Sequence, residues 1–271
     1  REWRPRFIHA TDLNGLLLGI DEVAHKGMIE VFRSIRSESR KKEFVREVNN
    51  LARGAKDTYY SCARYMLSVF AEHARPLVLR IDLYFEGDGR LESDSAAARK
   101  AFDKFLRALR EDRIIPDVLR YITKREDGLE RRIHYHVLVA VNGDRHWKAF
   151  ELSEQVGRYW VDECVGSPLV ASYYNVWLRR NEFEFCCLGL LHYLDEHMLE
   201  GLRRCIWYLC EDGAHVLIRK GRNLRKGQMP RSPRHHGRGR PRTNGASLAV
   251  AERILLEPPP AERERAICST T

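Results

Sequence analysis

Apolar positions in the first quarter of the chain fall at helical spacing. Phe44, Val45, Val48 and Leu51 recur with a period near that of an α-helix, and Tyr59, Cys62, Ala63, Met66, Leu67 and Phe70 do so again. Residues 15–75 are therefore expected to form an N-terminal helical layer. Pro76 stops the helix, and from Leu77 to Phe85 the period changes to two. Leu77, Leu79, Ile81, Leu83 and Phe85 share one face of this strand. Val78, Arg80, Asp82 and Tyr84 share the other, so one face is expected to pack on helices while the other stays open to a ligand.

After the turn signal Gly87-Asp88-Gly89, residues 97–110 read as an amphipathic helix with Phe102, Phe105, Leu106 and Leu109 buried. Residues 114–126 read as a strand broken or bent near Pro116, and residues 133–141 as an apolar strand closed by Asn142-Gly143. Residues 147–161 look helical, 173–178 and 186–191 extended, and 196–211 helical. The order β-α-β-β-α-β predicts an α+β fold with a ferredoxin-like, split βαβ antiparallel sheet. Three regions are expected: the helical region 1–75, a central domain 76–218, and a basic arm with a loosely ordered tail over 219–271.

Charge sharpens the last boundary. The 271 residues carry a net charge of +9, yet residues 213–251 contain no acid and ten cations. These are Arg219, Lys220, Arg222, Arg225, Lys226, Arg231, Arg234, Arg238, Arg240 and Arg242, interrupted by glycines and prolines. The remainder of the chain is close to neutral, so the basicity belongs to this arm. A polyanion is its natural partner, because each cation that neutralises a phosphate releases condensed counterions. The competing reading is a solubilising or localisation tail. Within the arm, Gly237-Arg238-Gly239-Arg240-Pro241-Arg242 resembles the core of an AT-hook, which would lay its arginines along a narrow minor groove.

The longest apolar runs, such as 186–191, are far shorter than the roughly 18 residues of a membrane span. No membrane partner is expected. The opening residues lack the apolar core of a secretory leader, and the absent initiator Met suggests an excerpt of a longer chain. Seven cysteines, without any C-x-x-C spacing, argue against a disulfide framework or a zinc ribbon and for core packing in a reducing, cytoplasmic compartment.

The candidate chemistry lies in His134-Tyr135-His136. A period of two places both imidazoles on the face shared with Arg80 and Asp82, if the strands are neighbours. Glu126 ends the preceding strand, and an antiparallel register pairing even with even positions would bring it to the same face. A tight turn at Asp127-Gly128 would instead pair Glu126 with Leu129, so the triad needs a connection running to about Arg132. Two imidazoles and a carboxylate make a divalent-cation site, and Asp82 is either a group that orients a ligating histidine or an ion partner of Arg80. On the helix over 196–211, Met198, Leu202, Cys205, Ile206 and Leu209 form the buried stripe, which leaves Tyr208 on its flank beside Arg204. Trp160, Tyr159, Tyr173, Tyr174 and Trp177 are candidates for stacking on unpaired bases, and otherwise core or rim.

Three segments carry a resemblance. Residues 80–85 (RIDLYF), 124–128 (KREDG) and 133–143 (IHYHVLVAVNG) resemble the YagK/YfjJ family of inovirus-type replication proteins. That family is similar to the HUH endonucleases, named for a His-hydrophobic-His strand, which initiate rolling-circle replication. The resemblance covers roughly residues 75–235. It implies a sheet of HUH type in which His134, His136 and Glu126 hold Mg2+ or Mn2+ and Tyr208 attacks a phosphodiester of single-stranded or nicked DNA, leaving a free 3′-OH. Tyr193 is the reserve nucleophile. Arg80, Arg204, Arg219, Lys220, Arg222, Arg225, Lys226, Arg238 and Arg240 would contact nucleic acid, and host replication proteins would be further partners. One departure stands out: where the family has Lys three residues after the tyrosine, this chain has Glu211. A phosphate-stabilising cation becomes an anion there, which favours the alternative of a non-catalytic DNA-binding regulator on the same fold.

Overall fold

A computed structural model describes residues 22–86, 96–128, 132–166, 170–210, 223–229 and 248–257. Its contacts divide the chain into two compact units between Arg53 and Gly54. The first contains helix α1 (Glu22–Ser39) and the opening turns of α2 (Lys42–Leu67). The expected helices are present there, and Phe32, Ile35, Phe44, Val45, Val48 and Leu51 on them are exposed.

The second unit starts within α2, where Tyr59, Cys62, Ala63, Tyr65 and Met66 are buried. It continues through β1 (Leu77–Phe85), α3 (Ala96–Arg110), β2 (Val118–Gly128), β3 (Arg132–Val141) and α4 (Ala149–Tyr159), which a π-helical turn extends to Val165. Then come β4 (Ala171–Asn175), a 3-10 turn over Val176–Glu182, β5 (Gly189–Leu190), α5 (Glu196–Cys210), β6 (Leu224–Lys226) and α6 (Ala249–Leu255). The protein is α+β, with a six-stranded antiparallel sheet ordered β4-β1-β3-β2-β6 and β5 pairing β1.

Three boundaries differ from those expected. β2 begins after Pro116, because Asp117 takes a left-handed φ of 58° and Asp112 Oδ1 accepts from Val118 N, which holds residues 112–117 in a turn. The extended stretch at 173–178 stops at Asn175, whose side chain accepts from Trp177 N and starts the 3-10 turn. Only Gly189–Leu190 of the stretch 186–191 is strand.

The sheet buries both faces. Leu77, Leu79, Ile81 and Leu83 join Tyr135, Val137 and Val139 under Phe102, Phe105, Val156 and Trp160 of α3, α4 and the π-helical turn. On the opposite face Val78, Ile122, Leu138 and Ala140 pack with Tyr59, Met66, Leu202, Ile206, Leu209 and Ile254 of α2, α5 and α6. The face expected to remain open is thus roofed by helices, and Asp82, His136 and Lys124 on it are buried. The region expected to be a free arm and loose tail also contributes structure. β6 adds to the β2 edge, and α6 is seated through Leu255, whose carbonyl accepts from Tyr59 Oη at 2.7 Å.

Cys62, Cys187, Cys205 and Cys210 are buried and unbridged, in keeping with core packing. Gly201 allows α5 to lie against the backbone of residues 185–187: a Cβ there would sit 2.7 Å from Cys186 C and 2.8 Å from Cys187 N. Rigid backbone on both sides leaves little room to relax. Gly201→Ala is expected to destabilise the fold by ~1–3 kcal/mol, read as a lower denaturant midpoint at unchanged m.

Candidate metal centre

Strand register assembles the centre. β2 and β3 pair Glu126 with His134 and Lys124 with His136, while β1 and β3 pair Asp82 with His136 and Tyr84 with His134. The ladder runs on to Gly128 opposite Arg132, so the connection is long enough to keep even positions opposite even ones. Glu126 Oε2 lies 3.4 Å from His134 Nε2 and 3.2 Å from His136 Nε2. One donor atom from each of the three residues falls within 4.8 Å of the others, a spacing that one cation can span.

The donor set is prepared for a cation in a second way. His136 Nδ1 pairs with Asp82 Oδ1 at 2.7 Å, so Asp82 fixes the ring and directs Nε2 toward Glu126. Burial favours the neutral carboxyl of Asp82, but the imidazole of His136 and the guanidinium of Arg80 outweigh it and hold the group down at about 2. Glu126 is likewise held well below the usual carboxylate range, against burial, by hydrogen bonds from His134 and His136 and by the charge of Lys124. Burial lowers the basicity of His136, yet Asp82 and Glu126 raise it above the ordinary imidazole value. If these residues hold a cation, Asp82→Asn removes the group that orients Nε2 and is expected to weaken Mn2+ binding ~10–100-fold by calorimetry.

Tyr208 reaches this centre from α5. Its hydroxyl stands 3.1 Å from His136 Nε2 and 3.5 Å from Glu126 Oε2, and the Arg80 guanidinium lies 4.9 Å from its ring centroid. Burial, and after it the Glu126 charge, push the phenol pKa up, while Arg80 pulls it down. The residues from β2, β3 and the Asp82 strand are therefore gathered with the tyrosine that sequence singled out.

Other expected site residues are placed differently from the expectation. Tyr193 follows β5, which pairs with the Leu77 end of β1, and its ring stacks on His192. Five residue steps along the strand carry Leu77 to Asp82, roughly 17 Å at strand rise, so Tyr193 is remote from the triad. Arg80 is buried against Asp82 and Tyr208 rather than on a surface. Arg204 is engaged by Glu200 and Glu184 and lies over Phe185. Arg225 pairs with Asp103, and Lys226 donates to Ser61 O. Trp160 is fully buried and donates to Tyr84 O, which makes it core. Arg219, Lys220, Arg222, Arg238, Arg240 and Glu211 lie outside the described residues.

Lys124 was not anticipated. Its side chain is 1% exposed with Nζ 3.6 Å from Glu126 Oε1. The signal was available in its position two residues before Glu126, on the same face of the same strand. Tyr84, whose ring stacks on His134, was legible in the same way.

A family model described as the YagK/YfjJ C-terminal domain matches residues 39–183, more than half of the chain. The chain belongs to that family. The match contains Arg80, Asp82, Lys124, Glu126, His134 and His136, and it ends before α5 and Tyr208. It begins earlier and stops earlier than the stretch over which the motifs were traced. No curated protein and no solved structure matches the chain. No helix among the described residues is long and apolar enough to cross a membrane.

Proposed function

We propose that the protein nicks and rejoins single-stranded DNA through Tyr208, with a divalent cation held by Glu126, His134 and His136, and so initiates rolling-circle replication of a phage-like or mobile element. The observation that carries this reading is the Tyr208 hydroxyl 3.1 Å from His136 Nε2 at the heart of the triad. The strand order β4-β1-β3-β2 with helices after β1 and β3 supports a split βαβ, HUH-type sheet, which puts the two histidines on a central strand.

Mg2+ or Mn2+ bound there would supply Lewis-acid polarisation of a phosphodiester oxygen. Tyr208 Oη would form a bond to phosphorus as the P–O3′ bond breaks, and the 3′ oxygen would leave as a hydroxyl after taking up a proton. The phenolic proton would pass to solvent water, because Glu126 Oε2 and His136 Nε2 beside Tyr208 Oη would be ligands of the cation. Arg80, beneath the ring, favours the phenolate. The resulting tyrosyl phosphate ester conserves the bond for rejoining. The basic segment beyond residue 218 would hold the displaced strand electrostatically, in the cytoplasm of the host and alongside its replication proteins.

A second reading, a DNA-binding regulator on the same scaffold, is favoured by the burial that keeps the Tyr208 phenol protonated. The two separate on incubation of the full chain with labelled single-stranded oligonucleotides and Mn2+. Strand scission that frees a 3′-OH on one fragment and leaves protein on the 5′-phosphate of the other supports the nuclease. Salt-dependent DNA binding without scission supports the regulator, and absence of both defeats each.

A further inference from the structure

The two oxygens of Glu126 have different neighbours. Oε2 faces the imidazole nitrogens at 3.4 Å and 3.2 Å, whereas Oε1 lies 3.6 Å from Lys124 Nζ. Lys124 has almost no solvent exposure, and the strand fixes it in place: it pairs with His136 on one side and with Leu224 of β6 on the other. An ammonium so placed cannot swing into water, and it shares a face with the carboxylate it holds. The carboxylate is thereby divided into one oxygen directed at the triad and one retained by a buried cation.

We propose that Lys124 sets the cation selectivity of the centre by confining Glu126 to ligation through Oε2 alone. Small cations such as Mg2+ and Mn2+ are served by single carboxylate oxygens in octahedral sites. Ca2+ takes six to eight oxygens and commonly draws both from one carboxylate. Lys124 opposes that second contact and offsets the negative charge that Ca2+ sites depend on. It touches neither cation nor substrate, so it is a positioning residue, and the assignment rests on the reading of the triad as a divalent-cation site.

The test is calorimetric titration of the full chain with Mn2+ and, separately, Ca2+, in the wild type, Lys124→Met and Lys124→Arg, with thermal unfolding as a control for the fold. Lys124→Met is expected to lower the preference for Mn2+ over Ca2+ by about tenfold or more as Glu126 becomes free to ligate through both oxygens. Lys124→Arg, which keeps a cation at Oε1, is expected to retain most of the wild-type preference. A folded Lys124→Met with an unchanged ratio overturns the proposal. Infrared difference spectra of the wild type with and without Mn2+ decide it even if Lys124→Met does not fold: the carboxylate splitting of one-oxygen ligation supports it, and that of two-oxygen ligation overturns it. Absence of Mn2+ uptake by the wild type removes the cation reading itself, and the proposal with it.

Discussion

Tyr208→Phe is expected to abolish covalent attachment of the protein to DNA, by at least about a thousandfold, because the change removes the only oxygen on that side chain able to bond phosphorus. Little else should change. The ring keeps its place over Arg80, since that contact requires the aromatic face and not the hydroxyl. The lost contacts are the 3.1 Å and 3.5 Å approaches to His136 Nε2 and Glu126 Oε2, worth roughly 1 kcal/mol net. Mn2+ uptake should survive, because Tyr208 is not one of the triad. Tyr193→Phe is the internal control: with its ring against His192 at the far end of β1, it should leave the adduct yield unaltered. Denaturing gels of labelled oligonucleotide after incubation with Mn2+ read both. An adduct that persists in Tyr208→Phe would assign the chemistry to another group.

Much of this centre could be read from residue parity. His134 and His136 occupy alternate positions of one strand, Glu126 is an even number of residues upstream, and the β2–β3 ladder does pair Glu126 with His134. The period-two pattern of residues 77–85 gave β1 its correct limits and the correct division of faces. What parity does not encode is coverage. A polar face of a strand reads as solvent-facing, and the apolar stripes of α2 and α5 do not state which sheet face they will cover. The same limit hid Lys124, since lysine is rarely buried without a partner; the carboxylate two residues along the strand makes its burial tolerable. Cation-rich composition likewise concealed β6, because a three-residue edge strand is fixed by its hydrogen bonds to β2 and leaves no periodic signature.

If the triad holds a cation, His134→Ala and His136→Ala should both weaken Mn2+ uptake by more than the ~10–100-fold that loss of a supporting group costs, yet they should differ in stability. His134 has Tyr84 stacked on it and Glu126 beside it, and its removal is expected to be mild, ~1 kcal/mol. His136 stands between Asp82 and Glu126, and Asp82 is 1% exposed. Deleting that imidazole takes away the nearest positive charge to a buried carboxylate, which is expected to destabilise the fold by ~3–5 kcal/mol near pH 5.5. The pH dependence follows from the two shifts. The depressed carboxyl contributes stability above its unfolded value of about 3.9, lost as pH falls toward 2. The raised imidazole contributes fully below about 6.5 and loses its contribution as pH rises through the higher folded value. The gap between His136→Ala and the wild type should accordingly be widest between about pH 4 and 6.5 and narrow on either side. Urea unfolding at three pH values measures it. Equal stabilities of the two alanine variants in that window would show that Asp82 does not depend on His136, and the preparation of the donor set would need another source.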